Sequence, residues 1–122
     1  MAKDDYDVIV FKILTYLYAC LKGKVNFGKD AYYKIIGKEN INEQYLYQIY
    51  RMMVSEGLIE NAKFTRAWGN EYILISDEAD LQITANGIHY LKNNNSMKEV
   101  GKYLLEGVEL ISKLISLVGL GF

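Results

Sequence analysis

The residue types that usually carry catalysis are almost missing from this chain. There is one histidine, His89, and one cysteine, Cys20. A zinc site of the usual Cys/His kind needs three or four such ligands. A hydrolytic triad needs a positioned His beside an activated nucleophile, and no Gly-x-Ser-x-Gly elbow is present. Asp77-Glu78-Ala79-Asp80 spells a helicase motif, but the phosphate loop that must accompany it ends in Gly-Lys-Ser/Thr. Gly37-Lys38-Glu39 and Gly101-Lys102-Tyr103 both fail at the third position. The acidic stretch therefore reads as a solvated turn, His89 as a surface or partly packed residue, and Cys20 as a small core residue. No catalytic, cofactor-binding or metal-ligating residue is assigned, no small-molecule ligand is inferred, and the expectation is a protein that is not an enzyme.

What remains are groups that could bind. Gln44, Tyr47, Gln48, Arg51 and Ser55 share one face of a predicted helix. Gln and Arg are side chains that pair bidentately with adenine and guanine edges. Lys29, Lys34 and Lys38 could hold phosphates beside that face, and Lys63, Arg66 and Trp68 fall in a predicted hairpin. Between Lys12 and Lys38 six lysines face a single acid, Asp30, although the whole chain carries a net charge of −1. That overall balance argues against strong non-specific nucleic-acid binding, whose affinity comes mainly from phosphate contacts. The lysines also fit a simpler role, solvating the first two helices. Tyrosine is the compositional outlier, with eleven in 122 residues. Its apolar face and hydroxyl suit interfaces as well as cores. Trp68 fits equally a hairpin folded back on the body and a partner contact.

These groups must be positioned by a mainly α fold with one small antiparallel β-hairpin. Asp4, Asp5 and Asp7 favour a helix start, and the first helix runs to about Lys22 before Gly23. It is apolar nearly all round, with a narrow stripe of Lys12, Thr15, Ala19 and Lys22, so it should be covered on more than one side. Lys24 to Phe27 alternates as a very short strand would. A second helix covers about Gly28 to Ile36, ended by Gly37. Asn42 caps a third, which runs to Glu56 and turns Leu46, Ile49, Tyr50 and Met53 inward. Leu58 to Phe64 and Glu71 to Ser76 read as paired strands, with Thr65 to Asn70 as the tip. Thr84 caps a short helix to about Asn93. Ser96-Met97-Lys98-Glu99 reads as a capping box opening a last helix, whose stripe is Val100, Leu104, Val108, Ile111, Ile115 and Val118. Val8 to Leu21 is apolar but too short for a membrane span, which needs about 20 residues. With acids at the N-terminus and one cysteine, the expectation is a cytoplasmic protein without a membrane partner.

The order helix, short strand, helix, helix, hairpin is that of a winged helix. Ile83-Thr84-x-x-Gly87-Ile88-x-Tyr90-Leu91, followed by Asn95-Ser96-Met97, and the opening Val8-Ile9-Val10-Phe11-Lys12-Ile13-Leu14-x-Tyr16-Leu17 resemble the YjcQ-like proteins. The resemblance implies a small winged-helix protein of the kind found in Gram-positive bacteria and their phages. It brings no catalytic residues. The residues themselves divide into a winged-helix domain over 1–93 and a C-terminal helix over 94–122 that packs on the domain or on a partner chain.

Two roles follow. One is a DNA-binding regulator in which Gln44, Tyr47, Gln48 and Arg51 enter the major groove of double-stranded DNA, with Lys29, Lys34, Lys38, Lys63, Arg66 and Trp68 around them. The other is a protein-interaction module, such as a phage or prophage accessory protein, that uses the fold without nucleic acid. The stripe Leu104, Val108, Ile111, Ile115 and Val118 must be covered, either by helix 1 of the same chain or by a second copy in a homodimer.

Overall fold

A computed structural model describes residues 5–107 and 109–121. Six helices, α1 (Asp5–Leu21), α2 (Lys29–Ile36), α3 (Glu43–Ser55), α4 (Ala85–Asn93), α5 (Asn95–Gly107) and α6 (Glu109–Val118), carry most of the chain. The strands are short: β1 (Ile59–Glu60), β2 (Phe64–Arg66), β3 (Tyr72–Leu74) and β4 (Gln82–Ile83). They form two antiparallel pairs, β1 with β4 and β2 with β3. The result is mainly helical and winged-helix-like, with β2–β3 as the wing.

The apolar circumference of α1 explains the architecture. Its residues from Ile9 to Ala19 are buried except Lys12, which is half-buried. Helices α2, α3, α4, α5 and α6 and strand β4 all pack on it. Of the narrow polar stripe, Thr15 and Ala19 are covered while Lys22 is exposed, and Thr15 Oγ1 is buried without a hydrogen-bond partner among the described residues.

Helix ends follow the local chemistry. Asn42 Oδ1 accepts from Tyr45 N (3.2 Å) and Thr84 Oγ1 from Gly87 N (2.9 Å), each satisfying a donor of the first helical turn. Gly37, just past α2, takes φ 73°, the left-handed conformation that a C-terminal cap favours.

Four expectations are corrected. Lys24 to Phe27 is an irregular loop, not a strand. Among the described residues no strand pairs with it; Gly28 N donates to the Tyr16 hydroxyl (2.9 Å), and the Phe27 ring packs on Tyr16 and Tyr32. The strand expected over Leu58 to Phe64 is divided at Asn61, whose φ of 70° turns the chain from one pair to the other. The last helix is two helices, one ending at Gly107 and the other beginning at Glu109, and its opening is capped by Asn94, whose Oδ1 accepts from Met97 N (3.1 Å), rather than by Ser96.

The fourth concerns the C-terminal stripe. Leu104, Ile111, Ile115 and Val118 are buried in the chain's own core, because α5 and α6 lie on α1. Lys22 Nζ fastens the end of α6 by donating to Val118 O (3.0 Å), a cation at a helix C-terminus. These four residues are therefore covered within one chain. Val108, Asp4 and Phe122 lie outside the described residues.

Candidate interaction surface of helix 3 and the hairpin

Positions 44, 48 and 51 fall on one stripe of α3, as their spacing requires. In the fold that stripe faces the wing. Gln44 Oε1 accepts from Tyr72 N (3.2 Å), and Gln48 Nε2 donates to Asn70 O (3.1 Å). Arg51 Nη1 donates to Gln48 Oε1 (2.7 Å), and its guanidinium lies 3.9 Å from the centre of the Tyr72 ring, a cation–π contact. Arg66 approaches the same ring at 5.6 Å. Three side chains expected to read bases are thus engaged in holding the hairpin against the helix.

Two of the four candidate lysines are also engaged. Lys29 pairs with Asp77 (3.7 Å), and Lys38 with Glu43 (3.9 Å) while lying over the Tyr33 ring. Lys34, Lys63 and Arg66 are exposed. Tyr47 is half-buried, and burial, followed by the nearby Glu43 and Glu78, raises its hydroxyl above the usual range.

The wing itself presents apolar groups to solvent. Trp68 at its tip is 92% exposed, and Ile73 and Ile75 are 41% and 62% exposed. Ile73 lies in β3 and Ile75 just past its end, where Ile75 N still donates to Lys63 O, so the two share a face. The other face, with Phe64, Tyr72 and Leu74, is half-buried toward the body. Sequence reasoning named Trp68 but missed the two isoleucines, because an unbroken apolar run such as Tyr72 to Ile75 hides which side faces inward.

It also missed Glu78. The acidic stretch is only partly the solvated turn expected: Asp77 and Asp80 are exposed, but Glu78 is buried. Tyr33 donates its hydroxyl to Glu78 Oε1, and Tyr50 donates to Oε2 (2.8 Å). The Tyr50 hydroxyl lies 2.7 Å from that of Tyr32. Burial, the largest cause, raises all three tyrosines well above the usual range, and Glu78 adds to it; the hydrogen bond between Tyr32 and Tyr50 raises Tyr50 but lowers Tyr32 without reversing its shift. The network ties α2, α3 and the turn at 78–80 together, and its charge is enclosed rather than offered to a ligand. Burial likewise raises the Cys20 thiol, which disfavours the nucleophilic thiolate. His89 is exposed. Among the described residues no group of three or more His, Cys, Asp or Glu could hold a metal ion, and no helix is long and apolar enough to cross a membrane.

A small helical domain with a projecting, apolar-faced wing is the class of protein that this geometry defines. The chain belongs to the YjcQ protein family, whose family model matches residues 11–107. That span begins within α1 and ends with α5, so it includes every element of the wing. No curated protein and no solved structure matches the chain.

The motif Thr84-x-x-Gly87 has a local physical role. Thr84 N donates to Leu58 O (3.1 Å), and the Thr84 hydroxyl donates to Gly57 O. A Cβ at Gly87 would lie 2.2 Å from Leu58 O and 2.8 Å from Ile83 Cγ1. The motif Thr84-x-x-Gly87 therefore fastens the start of α4 onto the chain that leaves α3.

Proposed function

We propose that the chain is a non-enzymatic protein-interaction module whose working surface is the outer face and tip of the wing. The observation that carries this reading is the 92% exposure of Trp68 on a hairpin that also turns Ile73 and Ile75 to solvent. Exposed aromatic residues in an apolar patch mark interaction sites. Lys63 and Arg66, exposed on the same hairpin, suit a partner surface that is apolar with acidic groups around it.

The DNA-reading alternative draws less support. Its base-reading residues Gln44, Gln48 and Arg51 are bonded to the chain's own hairpin or to one another. Two of its phosphate-binding lysines are paired with acids, and the net charge is −1.

Trp68 is the chain's single tryptophan, so its emission reports on the wing directly. Titration with duplex DNA at low salt is expected to leave the emission and the electrophoretic mobility of the DNA unchanged. Quenching that weakens with salt, by about 0.9 in log–log slope for each phosphate contact, would overturn the proposal in favour of DNA binding.

A further inference from the structure

We infer that the outer edge of β2 pairs with β2 of a second copy, joining two wings into one four-stranded antiparallel sheet. The backbone pattern carries the argument. Ile75 N donates to Lys63 O (2.8 Å) and Ala67 N to Glu71 O (2.9 Å). Odd-numbered residues of this strand therefore spend their backbone groups on β3. In an antiparallel pair the alternate residues point the other way, so Phe64 and Arg66 direct N–H and C=O to the opposite edge. The equivalent edge of β3 is covered, because Gln44 accepts from Tyr72 N. Among the described residues no hydrogen bond reaches the backbone of Phe64 or Arg66 on the outer edge of β2.

An open edge is a template for another strand, and this one is complementary to itself. A two-fold axis at Thr65 sets Phe64 opposite Arg66 of the other copy, so that each pair exchanges both of its outward N–H···O bonds. Thr65 then meets Thr65, a favourable cross-strand pair. Lys63 meets Ala67, so no like charges stand directly opposite. An isolated two-stranded ribbon is marginal in water, and further strands stabilise it. Pairing would also place Ile73 and Ile75 of both copies on one continuous face. This route uses none of the C-terminal stripe, and it stands independently of the proposed partner protein.

Sedimentation equilibrium of the full chain between about 10 µM and about 1 mM is the test, since an interface this small gives a weak complex. The expected result is a reversible monomer–dimer equilibrium. Thr65→Lys sets two lysines opposite each other at the axis while leaving an exposed position in each monomer, and should weaken dimerisation about fivefold without changing the far-UV spectrum. In a Cys20→Ala background, Thr65→Cys should form a disulfide-linked dimer under mild oxidation, whereas Ile75→Cys, away from the axis, should not. A chain that stays monomeric throughout the range overturns the inference. So does a dimer that is indifferent to Thr65→Lys and is not cross-linked through position 65.

Discussion

The Arg51 guanidinium stacks 3.9 Å from the centre of the Tyr72 ring, joining the middle of α3 to the first residue of β3. With Gln44 and Gln48 on the same stripe, this contact makes the wing an extension of the helix rather than a free arm.

Arg51→Ala should therefore loosen the hairpin before anything else. It removes the cation–π contact and the bond that orients Gln48, at a cost of about 1 kcal/mol. Hydrogen exchange should show faster exchange at the backbone amides of β2 and β3, with α1 unchanged. Equal acceleration throughout the chain would show that the contact is not local.

How much of this could be read from the sequence depends on the range of the interaction. Asn42, Gly37 and Thr84 act within one turn of their own helices, so α2, α3 and α4 were legible from those residues and the apolar spacing between them. The stripe Gln44, Gln48 and Arg51 was legible as a stripe. That it faces the wing was not, because Asn70 and Tyr72 reach it only when the hairpin folds back. Glu78 was hidden for the same reason: Tyr33 and Tyr50, which satisfy its carboxyl group, lie 45 and 28 residues away. The alternation at Lys24 to Phe27 misled because a strand needs a neighbour as well as a pattern. The C-terminal stripe was legible as apolar, and its position on α1 of the same chain could come only from the fold.

Gly87→Ala should be severely destabilising. The new methyl group would overlap a backbone carbonyl, and a carbonyl cannot step aside as a flexible side chain can. A loss of about 3 kcal/mol or more is expected in chemical denaturation. A shift under 1 kcal/mol, within the range of an ordinary surface substitution, would show that β1 and α4 separate more easily than the geometry implies.

Glu78→Ala removes the acceptor shared by Tyr33 and Tyr50. Each buried hydroxyl left unsatisfied costs about 1–3 kcal/mol, and urea denaturation should show a loss in that range or above it. Glu78→Gln keeps one acceptor oxygen and should lose less. Equal losses for the two variants would mean that volume, not hydrogen bonding, is the role of Glu78.

The same network predicts alkaline instability. Tyr32, Tyr33 and Tyr50 are held above the usual tyrosine value of 10.0 in the fold. Below that value they are protonated in both folded and unfolded states, and their contribution to stability is intact. Above it the unfolded chain ionises first, so stability falls as pH rises beyond about 10. Lys12, lowered by burial, works in the opposite direction near its own range, as one residue against three. Tyrosinate absorbance should rise in two stages, first from accessible tyrosines and then together with loss of helical signal. A single smooth titration with the helices intact would contradict the network.

The central claim is that the outer face of the wing, and not the Gln44, Gln48 and Arg51 stripe of α3, meets the partner. A photo-cross-linking amino acid placed at position 75, and separately at position 48, would test it in cells that express the full chain. The account predicts an adduct with a partner protein from position 75, distinct in mass from a second copy, that is lost in Trp68→Ala. It predicts none from position 48. Nucleic acid captured from position 48, with nothing captured from position 75, would contradict it.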